Sequence, residues 1–175
     1  FLNATQVKEQ IEQLVADCLD VIDNIYKNDY QKHKKYLREL TQKALKLALS
    51  SVSDEETLAV LGEGWVAEET WAIALYCAVR YINSPEQAII ASVNHDGDSD
   101  STGSVTGNII GAIYGYNYIK ERNLLCPDGC KIEQTLELAN IILTIADDLT
   151  TSCIISEYDY HDTPEKQQWF DRYCE

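Results

Sequence analysis

Apolar side chains recur at three- and four-residue intervals along almost the whole chain, a spacing that builds helices and leaves no room for a sheet. Val7, Ile11, Leu14, Val15, Cys18, Leu19, Ile22 and Ile25 follow it from residue 6 onward and share one side of a helix. Tyr36, Leu37, Leu40, Ala44, Leu47 and Ala48 form a second such stripe. Ser53-Asp54-Glu55-Glu56 reads as a capping box that opens a short helix through Leu61. Gly62-Glu63-Gly64-Trp65 interrupts the pattern, and residues 66–82 resume it with Ala67, Ile73, Ala74, Cys77, Ala78 and Tyr81 along one side. Ser84-Pro85 supplies a cap and a first-turn proline for a helix over 85–93. No run of alternating apolar and polar residues reaches strand length, and no segment repeats. The spacing therefore predicts an all-α, compact multi-helix bundle.

The helix expected over 101–119 is unusual. Gly103, Gly107, Gly111 and Gly115 fall at every fourth position, and four glycines inside a helix together cost about 3–4 kcal/mol relative to alanine. That cost is tolerable where the stripe lets another backbone approach, so this helix is expected at the buried centre of the bundle. Residues 123–131 read as a loop. Residues 132–149 read as a last strong helix with Leu136, Ala139, Ile142, Leu143 and Ala146 inward, and Thr163-Pro164-Glu165 as the start of a short one. At 175 residues and 45% hydrophobic content, the expectation is one domain over 1–175.

The charge balance narrows the partners. With 29 acidic against 14 basic residues the formal net charge is −15, the wrong sign for nucleic acid or for an anionic membrane surface. No apolar run has membrane-spanning length, and the start of the sequence carries no signal-peptide pattern, so a cytoplasmic location is expected. The six cysteines fit a reduced chain: Cys18 and Cys77 fall on apolar helical faces, where a thiol acts as a small hydrophobe. The close pair Cys126 and Cys130 leaves a bridge or a zinc site as the alternative. The sequence does not begin with methionine and contains none, so a processed product, a trimmed form or a fragment is expected.

One segment holds the residues for chemistry: Asn94-His95-Asp96-Gly97-Asp98-Ser99-Asp100-Ser101-Thr102-Gly103. Carboxylates at alternate positions repel one another unless a positive charge neutralises them. Asp98, Asp100 and the Ser101 hydroxyl are hard oxygen donors at a loop-to-helix junction, suited to Mg²⁺, Mn²⁺ or Ca²⁺. Asp and Ser are equally ordinary caps, so on these residues alone metal binding and capping stand level. An EF-hand beginning at Asp96 fails, because its sixth and twelfth positions are Ser101 and Gly107. An aspartate-nucleophile phosphatase needs such motifs at strand ends, and the flanks here are helical.

With its flanks, this loop resembles the ADP-ribosylglycohydrolase (crystallin J1-related) family. Two blocks carry the likeness: Gly62-Glu63-Gly64-Trp65-Val66-Ala67-Glu68-Glu69-Thr70, running on to Cys77, and Ser92 to Gly103, running on through Gly107-Asn108-Ile109-Ile110-Gly111-Ala112. The resemblance implies an all-α hydrolase that cleaves ADP-ribose from a protein or small acceptor with two Mg²⁺ or Mn²⁺ ions. It implies Asp98, Asp100 and Ser101 as metal ligands, and Gly97 as the residue that lets the loop come close to the metals and ribose. It implies Gly62, Gly64 and Trp65 in the loop beside the adenosine end of an ADP-ribosylated protein or ADP-ribose-type small molecule. The catalytic residue is not identified.

Two departures bear on this expectation. Asp96-Gly97 stands where family members often carry Gly-Gly, and the family's Thr/Ser-Asp-Asp block has no counterpart in the sequence. Three ligands cannot saturate two octahedral ions, so only half the ligands are present and the chain alone is expected to bind metal weakly and to be inactive. The domain is then an incomplete one, lacking its N-terminal metal-binding half. The alternative is a degenerate, non-enzymatic relative that binds a nucleotide or protein. In an incomplete domain the glycine stripe would face an absent helix and invite self-association. His95 is expected to be a solvated or packing residue, and His33, in a lysine run, a surface one.

Overall fold

The computed structural model describes residues 4–121 and 136–150, together with residues 167 and 171. The chain divides into two compact units, Phe1–Leu125 and Cys126–Glu175. In the first, α1 (Ala4–Ile25), α2 (Gln31–Ala48), α3 (Asp54–Leu61), α4 (Ala67–Arg80), α5 (Pro85–Val93), α6 (Ser99–Tyr114) and α7 (Tyr116–Glu121) follow one another; in the second, α8 spans Ala139–Thr150. The fold is all-α, with no strand among the described residues. The described residues also contain no helix long and apolar enough to cross a membrane.

The bundle is organised on α4. Every residue from Ala72 to Val79 is buried, Ile73 and Tyr76 completely, so this helix is covered on all sides rather than along the one side its spacing suggested. Around it close Val15 and Leu19 of α1, Leu40, Ala44 and Ala48 of α2, and Leu58 and Leu61 of α3. Each large side chain fully covered in this way stabilises the fold by about 1.5–3 kcal/mol. The phenolic oxygen of Tyr76 donates to Asp54 in the first turn of α3, as does that of Tyr81, so the buried ring keeps a partner for its one polar atom. The α3 start itself carries the N-cap bond of the capping box expected from the sequence, with Ser53 Oγ accepting from Glu56 N–H at 3.3 Å.

The glycine-bearing helix α6 packs at the side of α4 rather than at the centre. Its fully covered residues are Thr102, Thr106 and Ile110, one per turn, and they face α4 and α5 with the interior glycines half-buried beside them. The helix starts at Ser99, two residues earlier than expected, and it does not run to Ile119. Gly115 takes φ +76°, donates its N–H to Gly111 O at 2.8 Å and ends the helix. Three glycines therefore lie inside α6 and the fourth is its stop, because a positive φ is open to glycine at little cost.

Three further expectations change. The last strong helix begins at Ala139, after Leu138 has adopted φ +57°, and Leu136 and Ile142 are exposed rather than inward. Cys18 is exposed, whereas Cys77 is buried. The loop over 123–131, the pair Cys126 and Cys130, and the start of a helix at Thr163 lie outside the described residues.

Candidate functional site

The site begins with the cap of α6. Asp98 is the N-cap residue, and its Oδ1 accepts from the backbone N–H of Ser101 at 3.3 Å. One turn of helix then carries Asp100 and Ser101 round to the same side, so all three border one cavity of about 750 Å³ with Gly64, Trp65 and Trp71. The Asp98 carboxyl is held below the ordinary carboxylate range, first by hydrogen bonding with the Asp100 side chain, then by that of Ser101. Capping and clustering are thus combined in the same three residues. Asp96 is exposed and borders a different cavity.

The turn after α3 is fastened to this loop. Asp98 N–H donates to Glu63 O at 2.7 Å. At Gly97 an added Cβ would stand 1.8 Å from the same oxygen, so the close approach that glycine permits here is to the Glu63 backbone. Gly64 takes φ +81° and faces Thr102 and Asp98, and Gly62 takes φ +121° under the Glu69 carboxylate. Of the glycines singled out from the sequence, Gly64 borders the carboxylate cavity beside Trp65, while Gly62 and Gly97 border a neighbouring cavity of about 760 Å³.

The side chains that hold this arrangement were not visible in the spacing. Glu69 Oε2 accepts from the N–H groups of Glu63 and Gly64 at 3.1 and 3.2 Å. Thr70 Oγ1 donates to Gly64 O at 2.7 Å. Thr102 Oγ1, fully buried, donates to Ser92 O at 2.7 Å and receives His95 Nε2 at 2.9 Å. His95 is therefore a packing residue of the loop, as expected. His33 is exposed yet pairs with Glu68 at 2.7 Å.

The donor set fits a hard divalent cation in kind: two carboxylates and a hydroxyl in one cavity whose lining includes no lysine or arginine. It falls short in number, since among the described residues no three His, Cys, Asp or Glu side chains are grouped to hold an ion. Trp65 is 67% exposed at the cavity edge, with its indole N–H donating to the Glu63 carboxylate at 3.1 Å. That bond fixes one edge of the ring and leaves its faces available for stacking.

Comparison with known proteins bears on the whole described bundle. The sequence model of the ADP-ribosylglycohydrolase family matches residues 2–153. ADP-ribosylhydrolase ARH3 of Homo sapiens is 29% identical over 130 residues, which is 66% of this chain and 34% of the human protein. The ARH3 proteins of Bos taurus and Mus musculus are 28% identical over 130 residues and 29% over 126, with the same coverage. The chain thus spans about a third of the length of these relatives. No solved structure gives a significant match.

Proposed function

The chain belongs to the ADP-ribosylglycohydrolase family, and from that premise we propose that it supplies part of the active site of a metal-dependent ADP-ribose hydrolase. The observation that carries the reading is the meeting of the Asp98, Asp100 and Ser101 side chains in one cavity bordered by Trp65. Asp98 and Asp100 would hold Mg²⁺ or Mn²⁺ through carboxylate oxygens, and Ser101 through its hydroxyl. When bound, such an ion polarises ribose hydroxyls and a water near the anomeric carbon. The two carboxylates also place negative charge where an oxocarbenium-like centre develops, and so favour breaking the bond at C1. Trp65 offers an indole face for the adenine ring, and Gly64 keeps that wall free of a side chain. The substrate class is an ADP-ribosylated protein or an ADP-ribose-type small molecule.

Three oxygen donors favour a second reading for the 175 residues by themselves: ligand binding with little or no turnover, as in a non-enzymatic binding module. One experiment separates the two. ADP-ribose is titrated with and without Mg²⁺ while tryptophan fluorescence is followed, and release of ADP-ribose from a modified protein is assayed in parallel. Magnesium-dependent quenching and release, both lost in Asp98→Ala and Asp100→Ala, support the hydrolase. Quenching without release supports the binding module. Quenching and release that persist unchanged in the double variant remove these carboxylates from the mechanism.

A further inference from the structure

We propose that Glu69 is a positioning residue for the Asp98 loop, acting through the single peptide group that joins Glu63 to Gly64. This inference builds on the site reading above, yet its central test is independent of metal or substrate. The peptide group has two polar ends. Its N–H, from Gly64, donates to Glu69 Oε2 at 3.2 Å, and its carbonyl, from Glu63, accepts from Asp98 N–H at 2.7 Å. A peptide is planar, so gripping the N–H fixes the direction of the carbonyl. A carboxylate on the N–H side also polarises the carbonyl and strengthens the bond beyond it. Glu69 thereby orients the residue that caps α6 without touching it.

Glu69 is itself held in place. Its Oε2 also accepts from Glu63 N–H at 3.1 Å, and its Oε1 accepts from the Tyr36 hydroxyl of α2 at 3.2 Å. Gly62 lies under its carboxylate, where an added Cβ would stand 2.4 Å from Glu69 Cδ. The adjacent Glu68 points to a different partner, His33, and takes no part. Both turn N–H groups use the same Glu69 oxygen, so a glutamine at this position can accept both while its amide donates to Tyr36. An aspartate keeps the charge but lacks the reach.

Amide hydrogen exchange measured by NMR tests this. In Glu69→Ala, exchange at Asp98 N–H is expected to accelerate about tenfold or more together with Gly64 N–H, while Ile73 and Tyr76 in α4 keep their protection. Glu69→Gln should restore the wild-type rates, Glu69→Asp should resemble the alanine variant, and Glu68→Ala should leave Asp98 unchanged. Acceleration at Gly64 with no change at Asp98, or failure of glutamine to restore, overturns the proposal. If the alanine variant does not fold, Glu69→Asp decides by the same two amides. Mn²⁺ titration gives the functional readout, with affinity about tenfold weaker in Glu69→Ala and near wild type in Glu69→Gln. A wild-type chain that takes up no Mn²⁺ while the Asp98 amide still answers to Glu69 defeats the metal reading and leaves the positioning role standing.

Discussion

The backbone N–H of Asp98 and the carbonyl of Glu63 lie 2.7 Å apart, although 35 residues separate them along the chain. That bond fastens the turn after α3 to the loop that starts α6, and it exists because residue 97 has no side chain. Gly97→Ala would put a methyl group 1.8 Å from the Glu63 oxygen, inside any tolerable contact, so one backbone must move. Destabilisation of roughly 1–3 kcal/mol is expected from such overpacking, read from urea unfolding. Metal affinity should fall with it, and unchanged affinity would separate the cation site from this crossing.

His95 offers a second handle on the same loop. Its Nδ1 accepts from Gly97 N–H at 3.0 Å, which puts the ring proton on Nε2, and Nε2 in turn meets Thr102 Oγ1 at 2.9 Å. His95→Ala leaves the Gly97 N–H without this acceptor and is expected to cost about 1–3 kcal/mol. Nitrogen-15 NMR of the wild-type ring should show the Nε2–H tautomer. The opposite tautomer would mean that the loop is held in some other way.

Two glycines in one helix should respond with opposite signs. Gly115 ends α6 at φ +76° and ψ +155°, a region nearly closed to other residues, so Gly115→Ala should cost about 1–3 kcal/mol. Gly111 lies within α6 with open space where a Cβ would go, so Gly111→Ala should stabilise by up to about 1 kcal/mol. Thermal or urea denaturation of both variants checks the contrast directly.

Cys77 makes stability fall in alkali. Burial first, and then the Asp54 charge, push its thiol up to about 12. The native state keeps this proton after the unfolded chain has begun to lose it near the ordinary thiol value of 9.0, so the stability present below that pH declines as it rises toward about 12. Tyr76, also raised above its ordinary value by burial, contributes in the same direction. Urea unfolding at a series of pH values across this window should give a shallower decline for Cys77→Ala. In native conditions a thiol reagent followed by peptide mapping should label exposed Cys18 and spare Cys77.

Much of the fold was legible because helix formation is local. The spacing of Val15 and Leu19, the Ser53 cap and the break at residues 62–65 all follow from neighbours within a turn or two. Local pattern misjudged α6, since four glycines at equal spacing carry the same signal whether each lies inside a helix or one of them stops it. The donors Asp98, Asp100 and Ser101 were legible as residue types at a helix start. Their supports Glu69, Thr70 and Thr102 were not, because a glutamate or threonine inside a helix looks alike whether it faces solvent or grips the backbone of the preceding loop or helix.

The sequence by itself determined the all-α class, the acidic cap of α6 and the family, since each rests on residue type and short-range spacing. Tertiary structure alone decided that α4 forms the centre, that Gly97 answers to the Glu63 carbonyl, and that Glu69 reaches Asp98 through one peptide plane. Those relationships join residues roughly 30 positions apart, and only the packing of α2, α4 and α6 brings their polar groups within hydrogen-bonding range.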